Sequence, residues 1–430
     1  MKNIYAIILL LVLSLGTILP AAETVSFDVN GLKVIFKPNT ANDIISARLY
    51  FRGGVSNLTQ ETAGLENFSL IVAQKATKNF PKDMLSSRLD RMNSKISSFS
   101  GKDFSSLDML SVKQNFQDTW AIFADILNNP IFNNEDVELE RQKIISSIEQ
   151  SKDDPDSYQS DLADQTYFAG HPYAIPVDGT VQSVSSFTAA DLKDYLLGRT
   201  QTSQLLLVVV GNTTKDEIET LVKDSFGKLT KGDYKADPLP SVNHQEPSLL
   251  IVQRDIPTNY IIGQFPVPSI GDPQRYAALM AGSILRDRMW EEVRTKRGLS
   301  YAPSSGTSGR FSSFGFIYVT AVDADSTIKV MINELEKIQT EGVTEKDLKD
   351  KINQYITRVY MSMETNAAQA NRLATYELAG QGYAAAENFI PDLKKVTPAD
   401  IQNLCKENIK NLQFVLIGNP ETLTIKNFMF

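Results

Sequence analysis

The stretch Leu205-Leu206-Leu207-Val208-Val209-Val210-Gly211-Asn212 is an unbroken apolar run stopped by Gly-Asn, which reads as a buried strand. It has a counterpart near the C-terminus, Phe414-Val415-Leu416-Ile417-Gly418-Asn419. Each strand is preceded by a helix opening of similar pattern, Phe187-Thr188-Ala189-Ala190-Asp191-Leu192 in one case and Val396-Thr397-Pro398-Ala399-Asp400-Ile401 in the other. From Thr188 to Thr397 is 209 residues, and from Gly211 to Gly418 is 207. Two unlike features recurring together at nearly one spacing imply an internal duplication.

Working outward, Val25-Ser26-Phe27-Asp28-Val29-Asn30-Gly31-Leu32-Lys33-Val34-Ile35-Phe36 alternates apolar and polar residues about an Asn-Gly turn, a hairpin pattern. A third strand is expected over 44–51, broken by Gly53-Gly54, and another over 310–319 whose aromatic residues read as packing. Apolar periodicity predicts helices over 61–78, 116–127 and 136–152, the last stopped by Asp153-Asp154-Pro155. The polar, Pro-bearing segment Lys231-Gly232-Asp233-Tyr234-Lys235-Ala236-Asp237-Pro238-Leu239-Pro240 reads as a solvated linker. The expected division is a first domain over 23–230, a linker over 231–247 and a second domain over 248–430. Hairpins mixed with long helices favour an α+β fold, two similar domains each with an antiparallel-rich sheet packed on helices.

Met1-Lys2-Asn3, an apolar run over 4–19 and Pro20-Ala21-Ala22 read as a secretory signal peptide over 1–22. Export is expected, to the periplasm, or to an inner-membrane anchor if the leader is retained. No other uncharged run approaches the roughly 20 residues that span a bilayer. The net charge of −8 becomes −9 without Lys2. An acidic chain without clustered Lys and Arg carries no nucleic-acid footprint.

Residue inventory limits the chemistry. The chain has two histidines, His171 and His244, and one cysteine, Cys405. A catalytic zinc takes three protein ligands, and neither histidine has a second His or a Glu three or four residues away. Cys405 lies in Ile401-Gln402-Asn403-Leu404-Cys405 at a helical spacing that marks it as core. No Ser-His-Asp or phosphate-loop pattern is present.

Several segments together resemble the pitrilysin/insulinase family of zinc peptidases, in its short two-domain form similar to the mitochondrial processing peptidases. They are Asn30-Gly31-Leu32-Lys33-Val34, Gly53-Gly54, Gly64-Leu65, His171-Pro172-Tyr173, Gly179-Thr180, Val208-Val209-Val210-Gly211-Asn212, and Arg294-Thr295-Lys296-Arg297-Gly298-Leu299-Ser300-Tyr301. The resemblance spans nearly the whole chain after the leader. It implies a His-x-x-Glu-His helix just after Gly-Leu, with a later Glu as third ligand and the intervening Glu as general base. In Gly64-Leu65-Glu66-Asn67-Phe68-Ser69-Leu70-Ile71 the matching positions are Asn67, Leu70 and Ile71, and the third falls on Ser147. Every expected ligand and the base are replaced. Glu66 and Glu149 are the nearest carboxylates, but one residue along a helix swings a side chain by about 100°. The apolar replacements imply that this face packs as core.

The resemblance also implies an Arg and a Tyr seven residues apart, which reach from the second domain or a second subunit to grip the substrate and its oxyanion. Arg294 and Tyr301 match that pair, and a guanidinium and a phenol are suitable donors. Local pattern alone also allows a basic helix end capped by Gly298. The expected function is a non-catalytic, substrate-binding subunit of a heteromeric zinc metallopeptidase. In that assembly a zinc-motif-bearing homologue supplies metal and base, this chain binds no cofactor, and peptide or unfolded polypeptide is the substrate. The alternative is an inactive structural or peptide-binding protein of the same fold. A chain active alone through another site has no sequence pattern in its support.

Overall fold

The computed structural model describes residues 23–420 and 423–430, so the expected leader lies outside the described residues. Asn30 and Gly31, with φ of 52° and 86°, turn the chain between β1 (Val25–Val29) and β2 (Leu32–Pro38), which pair antiparallel with Val29 opposite Leu32. Two successive positive φ angles suit Asn-Gly, and their twist matches that of the strands they join. Then come β3 (Ile44–Arg52), β4 (Lys95–Ser100), β5 (Phe104–Val112) and β6 (Leu205–Gly211), giving a sheet in the order β1-β2-β6-β3-β5-β4.

The second half builds β7 (Ser248–Gln253), β8 (Asn259–Pro266), β9 (Ser304–Thr307), β10 (Phe314–Ala321) and β11 (Gln413–Gly418) into a sheet ordered β7-β11-β8-β10-β9. Element for element this is the first sheet without its outer strand β1. The helices before β6 and β11, Ala189–Arg199 and Pro398–Asn408, open with the same reciprocal cap, Thr188 with Asp191 and Thr397 with Asp400. Both strands end at a glycine in close contact: a Cβ on Gly211 would lie 2.8 Å from Ile44 O, and one on Gly418 2.2 Å from Asn259 Oδ1. The fold is α+β with two similar halves, as the sequence implies.

Each sheet is mixed, however. β2 and β6 run parallel, as do β7 and β11. Buried along its whole length, β6 sends Leu205, Leu207 and Val209 into one core and Leu206, Val208 and Val210 into another. Helix Asn366–Leu378 from the second half covers that second face. Its Ala370, Leu373 and Ala374 join the same core as Ile35 and Tyr50, and Asn366, only 3% exposed, donates to Ile44 O at 2.6 Å. The exchange is reciprocal: helix Pro155–Tyr167 of the first half lies on β8 and β11, where buried Gln159 donates to Val415 O at 3.1 Å.

Two expectations are corrected, and one helix was not foreseen. The helix expected over 61–78 is Leu65–Ala73, because Gly64 is left-handed at φ 86° and Thr77 leaves the helix to bridge Pro130. The strand expected over 310–319 starts at Phe314, since Arg310 and Phe311 turn toward the first half. Asp154-Pro155 stops one helix at Asp153 but also caps the next, Pro155–Tyr167, which periodicity did not reveal. The segment 231–247 forms no regular element, and Tyr234, Leu239, Val242, His244 and Pro247 are its partly buried side chains while the others are exposed.

The two tryptophans report separately on the halves, Trp120 from the first and Trp290 from the second. With Trp120→Phe or Trp290→Phe leaving one reporter each, urea unfolding by fluorescence is expected to give coincident midpoints. Asn366→Ala is expected to lower both together, by about 1–3 kcal/mol for a buried hydrogen-bonding group. Separate midpoints would show that the halves fold independently.

Candidate functional site

Gly64 and Gly179 let two backbones meet at the start of helix Leu65–Ala73. A Cβ on Gly64 would lie 2.7 Å from Asp178 O, and one on Gly179 2.5 Å from Ala63 O. This approach seats Asp178 beside the helix, where Asn67 Nδ2 donates to its Oδ1 at 2.9 Å. Leu70 is 1% exposed in the core under the first sheet, whereas Ile71 is only partly buried. The expectation that this face packs as core therefore holds for Leu70 and, at the edge of a second core, for Ile71, but not for Asn67. Asn67 keeps a polar contact because the Asp178 loop, not apolar surface, faces it.

Glu66 is turned away and fully used. It is buried and accepts hydrogen bonds from Ser105 Oγ and from Tyr195 Oη at 2.7 Å. Burial holds its pKa above the usual carboxylate range despite those bonds. Ser147 lies on the helix Asn134–Asp153 and lines a 620 Å³ cavity, and Glu149 is exposed. Among the described residues no three His, Cys, Asp or Glu side chains converge to hold a metal ion. An Asn, a Leu, an Ile and a Ser do not make a zinc donor set, so these positions do not fit the metal the resemblance implies.

The cavity is acidic on one side and closed by the second half on the other. Asp161, Asp164 and Asp178 line it with Ser151 and Lys102, and Arg310 is the second half's one contribution to the wall among the described residues. Arg310 pairs with Asp164 at 2.8 Å. Burial raises the pKa of Asp161, and the neighbouring Asp164 charge raises it further. Sequence reasoning missed Arg310 because its partner is 146 residues away, and no local pattern encodes such a pair.

The histidines and the cysteine are structural. His171 is buried, accepts the Tyr173 N–H on Nδ1 at 3.0 Å and packs on Phe168, and burial pulls its pKa down. His244 Nε2 contacts Tyr167 O at 3.0 Å. Burial pushes the Cys405 thiol up to about 12, which keeps it protonated.

The matched Arg-Tyr pair sits elsewhere. Helix Arg275–Met289 runs into a π-helical turn, Trp290–Thr295, closed by left-handed Gly298 through Gly298 N–H to Arg294 O at 3.0 Å and Leu299 N–H to Val293 O at 2.9 Å. Lys296 and Arg297 both pair with Glu292, at 2.6 and 2.5 Å, and their hydrogen bonds draw its pKa down to about 2. Arg294 takes no carboxylate among the described residues. Its guanidinium lies 4.0 Å from the ring centroids of both Trp290 and Tyr301 and donates to Tyr301 O at 3.2 Å. Tyr301 is 77% exposed and Trp290 44%. Trp290 stands four residues before Arg294, a helical spacing that could have revealed the stack. Neither Arg294 nor Tyr301 lines the cavity of Ser147, and neither do Asn67, Leu70 and Ile71.

Comparison with known proteins gives matches over most of the chain. A model described as insulinase, peptidase family M16, matches residues 33–181, and one described as the peptidase M16 inactive domain matches 186–355. An uncharacterised zinc protease of Mycobacterium leprae is 24% identical over 388 residues, 88% of this chain and 87% of that protein. One from Rickettsia felis is 25% identical over 407 residues, 92% and 97%. Among solved structures, a peptidase M16 inactive domain from Pseudomonas fluorescens superposes with a TM-score of 0.85 at 17% identity, covering 93% of this chain and 99% of that one. The periplasmic protease PqqL of Escherichia coli gives 0.79 at 17%, covering 95% of this chain and 50% of PqqL.

Rebuilding the donors tests this placement. Asn67→His, Ile71→His and Ser147→Glu together are expected to give a chain that retains one zinc per molecule by elemental analysis after desalting, while the parent retains none. A triple variant that stays metal-free would show that these positions do not face a common point.

Proposed function

Since the chain belongs to the insulinase-type M16 peptidase family, we propose that it acts as the non-catalytic, substrate-binding subunit of an exported heteromeric zinc metallopeptidase. The observation that carries this reading is the contrast between the two inherited sites. One has lost every donor, while the other presents a guanidinium with no carboxylate partner among the described residues and an exposed phenol. A group meant for its own chain's cleft would line that cleft, and Arg294 and Tyr301 do not.

The proposed partner is a homologous subunit with an intact zinc motif, which supplies metal-activated water and general base. This chain's part is binding and charge stabilisation. The Arg294 guanidinium and Tyr301 hydroxyl donate to the carbonyl oxygen of the scissile amide as it gains negative charge. Trp290 holds the guanidinium plane in place by stacking. On the other side, β4 is the outer strand of the first sheet, and its free edge beside the Ser147 cavity is suited to holding an extended peptide by strand addition. Export rests on the leader pattern over 1–22 and on the periplasmic setting named for PqqL. No described helix is long and apolar enough to cross a membrane.

A second reading, an inactive structural or peptide-binding protein, is favoured by one feature. Arg294 is already engaged by two rings and a backbone carbonyl. Reconstitution separates the two. Mixed with a zinc-motif-bearing homologue from the same source, the chain is expected to support peptide cleavage that neither protein gives alone. Arg294→Ala and Tyr301→Phe are each expected to lower kcat by about 10²-fold, the scale of losing one oxyanion donor. Unchanged rates in both variants would leave the structural reading standing.

A further inference from the structure

Beneath the segment 231–247, between the halves, lies a second cavity of 340 Å³. Arg52, at the end of β3, lines it together with Asn57, Tyr234, Leu239, Phe311 and Leu378. The Arg52 side chain is half-buried and makes no hydrogen bond or ion pair among the described residues. The carboxylate whose charge it feels most is Glu377. That group is already taken by Lys33 at 2.6 Å and by the Tyr383 N–H at 3.1 Å.

The other inward charges are committed as well. Lys102 donates to Tyr173 O at 2.7 Å and Ile175 O at 2.8 Å and faces Asp164 at 3.8 Å. Asp103 accepts the Tyr173 hydroxyl and the Phe311 N–H. Lys235 and Asp237, of opposite sign, sit on the exposed rim. A desolvated guanidinium without an acceptor is costly, and its planar fork matches a carboxylate. Leu239, Phe311 and Leu378 supply an apolar wall beside it.

We infer that this cavity binds a carboxylate carried on a small apolar body, with Arg52 as its clamp and the C-terminal end of a peptide as the carrier. Lys102 and Asp103 line both this cavity and the one at Ser147, so the two adjoin. The choice of a peptide rests on the peptide-cleft reading above, whereas the carboxylate clamp does not.

Calorimetric titration of the isolated chain tests both parts without any cleavage assay. The probes are the pentapeptide Ala-Ala-Ala-Ala-Phe as free acid, its C-terminal amide, and N-acetylphenylalanine. The free acid is expected to bind one per chain, and the amide at least about 10-fold more weakly, the loss expected of a charge-assisted bidentate contact. Arg52→Gln is expected to weaken the acid to the level of the amide. Equal binding of acid and amide, undiminished binding to Arg52→Gln, or no binding by either acid would overturn the clamp. N-acetylphenylalanine binding as tightly as the pentapeptide would keep the clamp and remove the peptide as carrier. Without ligand, the Tm of Arg52→Gln is expected to be unchanged or raised. If it falls instead, Arg52→Lys, which keeps the charge and loses the planar fork, decides: binding as tight as the parent's overturns the clamp.

Discussion

Each sheet in this chain needs a helix from the other half to cover one of its faces. β6 is apolar at every position from Leu205 to Val210, and a strand of that kind is stable only when both of its faces are dry. Its own half supplies one cover, through the core that holds Phe116, Trp120 and Phe226. Helix Asn366–Leu378 supplies the other, and helix Pro155–Tyr167 does the same for β8 and β11. Separating the halves would strip an apolar face from both sheets at once. The duplication is therefore one of sequence and topology rather than of independently stable units.

The same exchange fixes where chemistry can occur. Helix Pro155–Tyr167 docks on the second sheet and carries Asp161 and Asp164 into the wall of the Ser147 cavity. Arg310, arriving from the loop before β10, closes that wall by pairing with Asp164. The cavity is thus framed by contacts between the halves, although Asn67, Leu70 and Ile71 do not line it. The Arg294 turn lies on the far end of helix Arg275–Met289, and none of these contacts draws it inward.

What could be read from the sequence follows from the range of the interactions involved. The Asn30-Gly31 turn, the recurring Thr-x-x-Asp helix starts and the Gly-ended strands are local, and each was legible. The residue types at Asn67, Leu70, Ile71 and Ser147 were legible too, because Leu and Ile carry no group that can bind a metal or take a proton in any surroundings. The parallel pairing of β2 with β6 was not legible, since apolar content alone does not fix strand direction. Arg310 with Asp164, and Asn366 with Ile44, join residues far apart in the chain and leave no periodic trace. The mixed fate of the degenerate helix face was hidden for a similar reason. Leu70 meets core, but what meets Asn67 is a loop brought in by Gly64 and Gly179.

On the function proposed above, the stack of Trp290, Arg294 and Tyr301 bears on why one site would outlast the other. A metal site works only as a complete set, so the first lost ligand removes selection on the rest, and apolar or small residues can then fill the positions. Donors that serve a neighbouring subunit's reaction are selected through that subunit and do not depend on this chain's own metal. Two large rings exposed around an uncompensated cation are a poor use of surface for a solitary protein, since aromatic residues and Arg are most valuable where a partner desolvates them. Flanking residues sharpen the contrast. Lys296 pairs with Glu291 and Glu292, and Arg297 with Glu292, which leaves Arg294 as the one cation of that run without a carboxylate partner among the described residues. A partner that contributes a developing negative charge to this turn would supply the balance that the chain itself withholds.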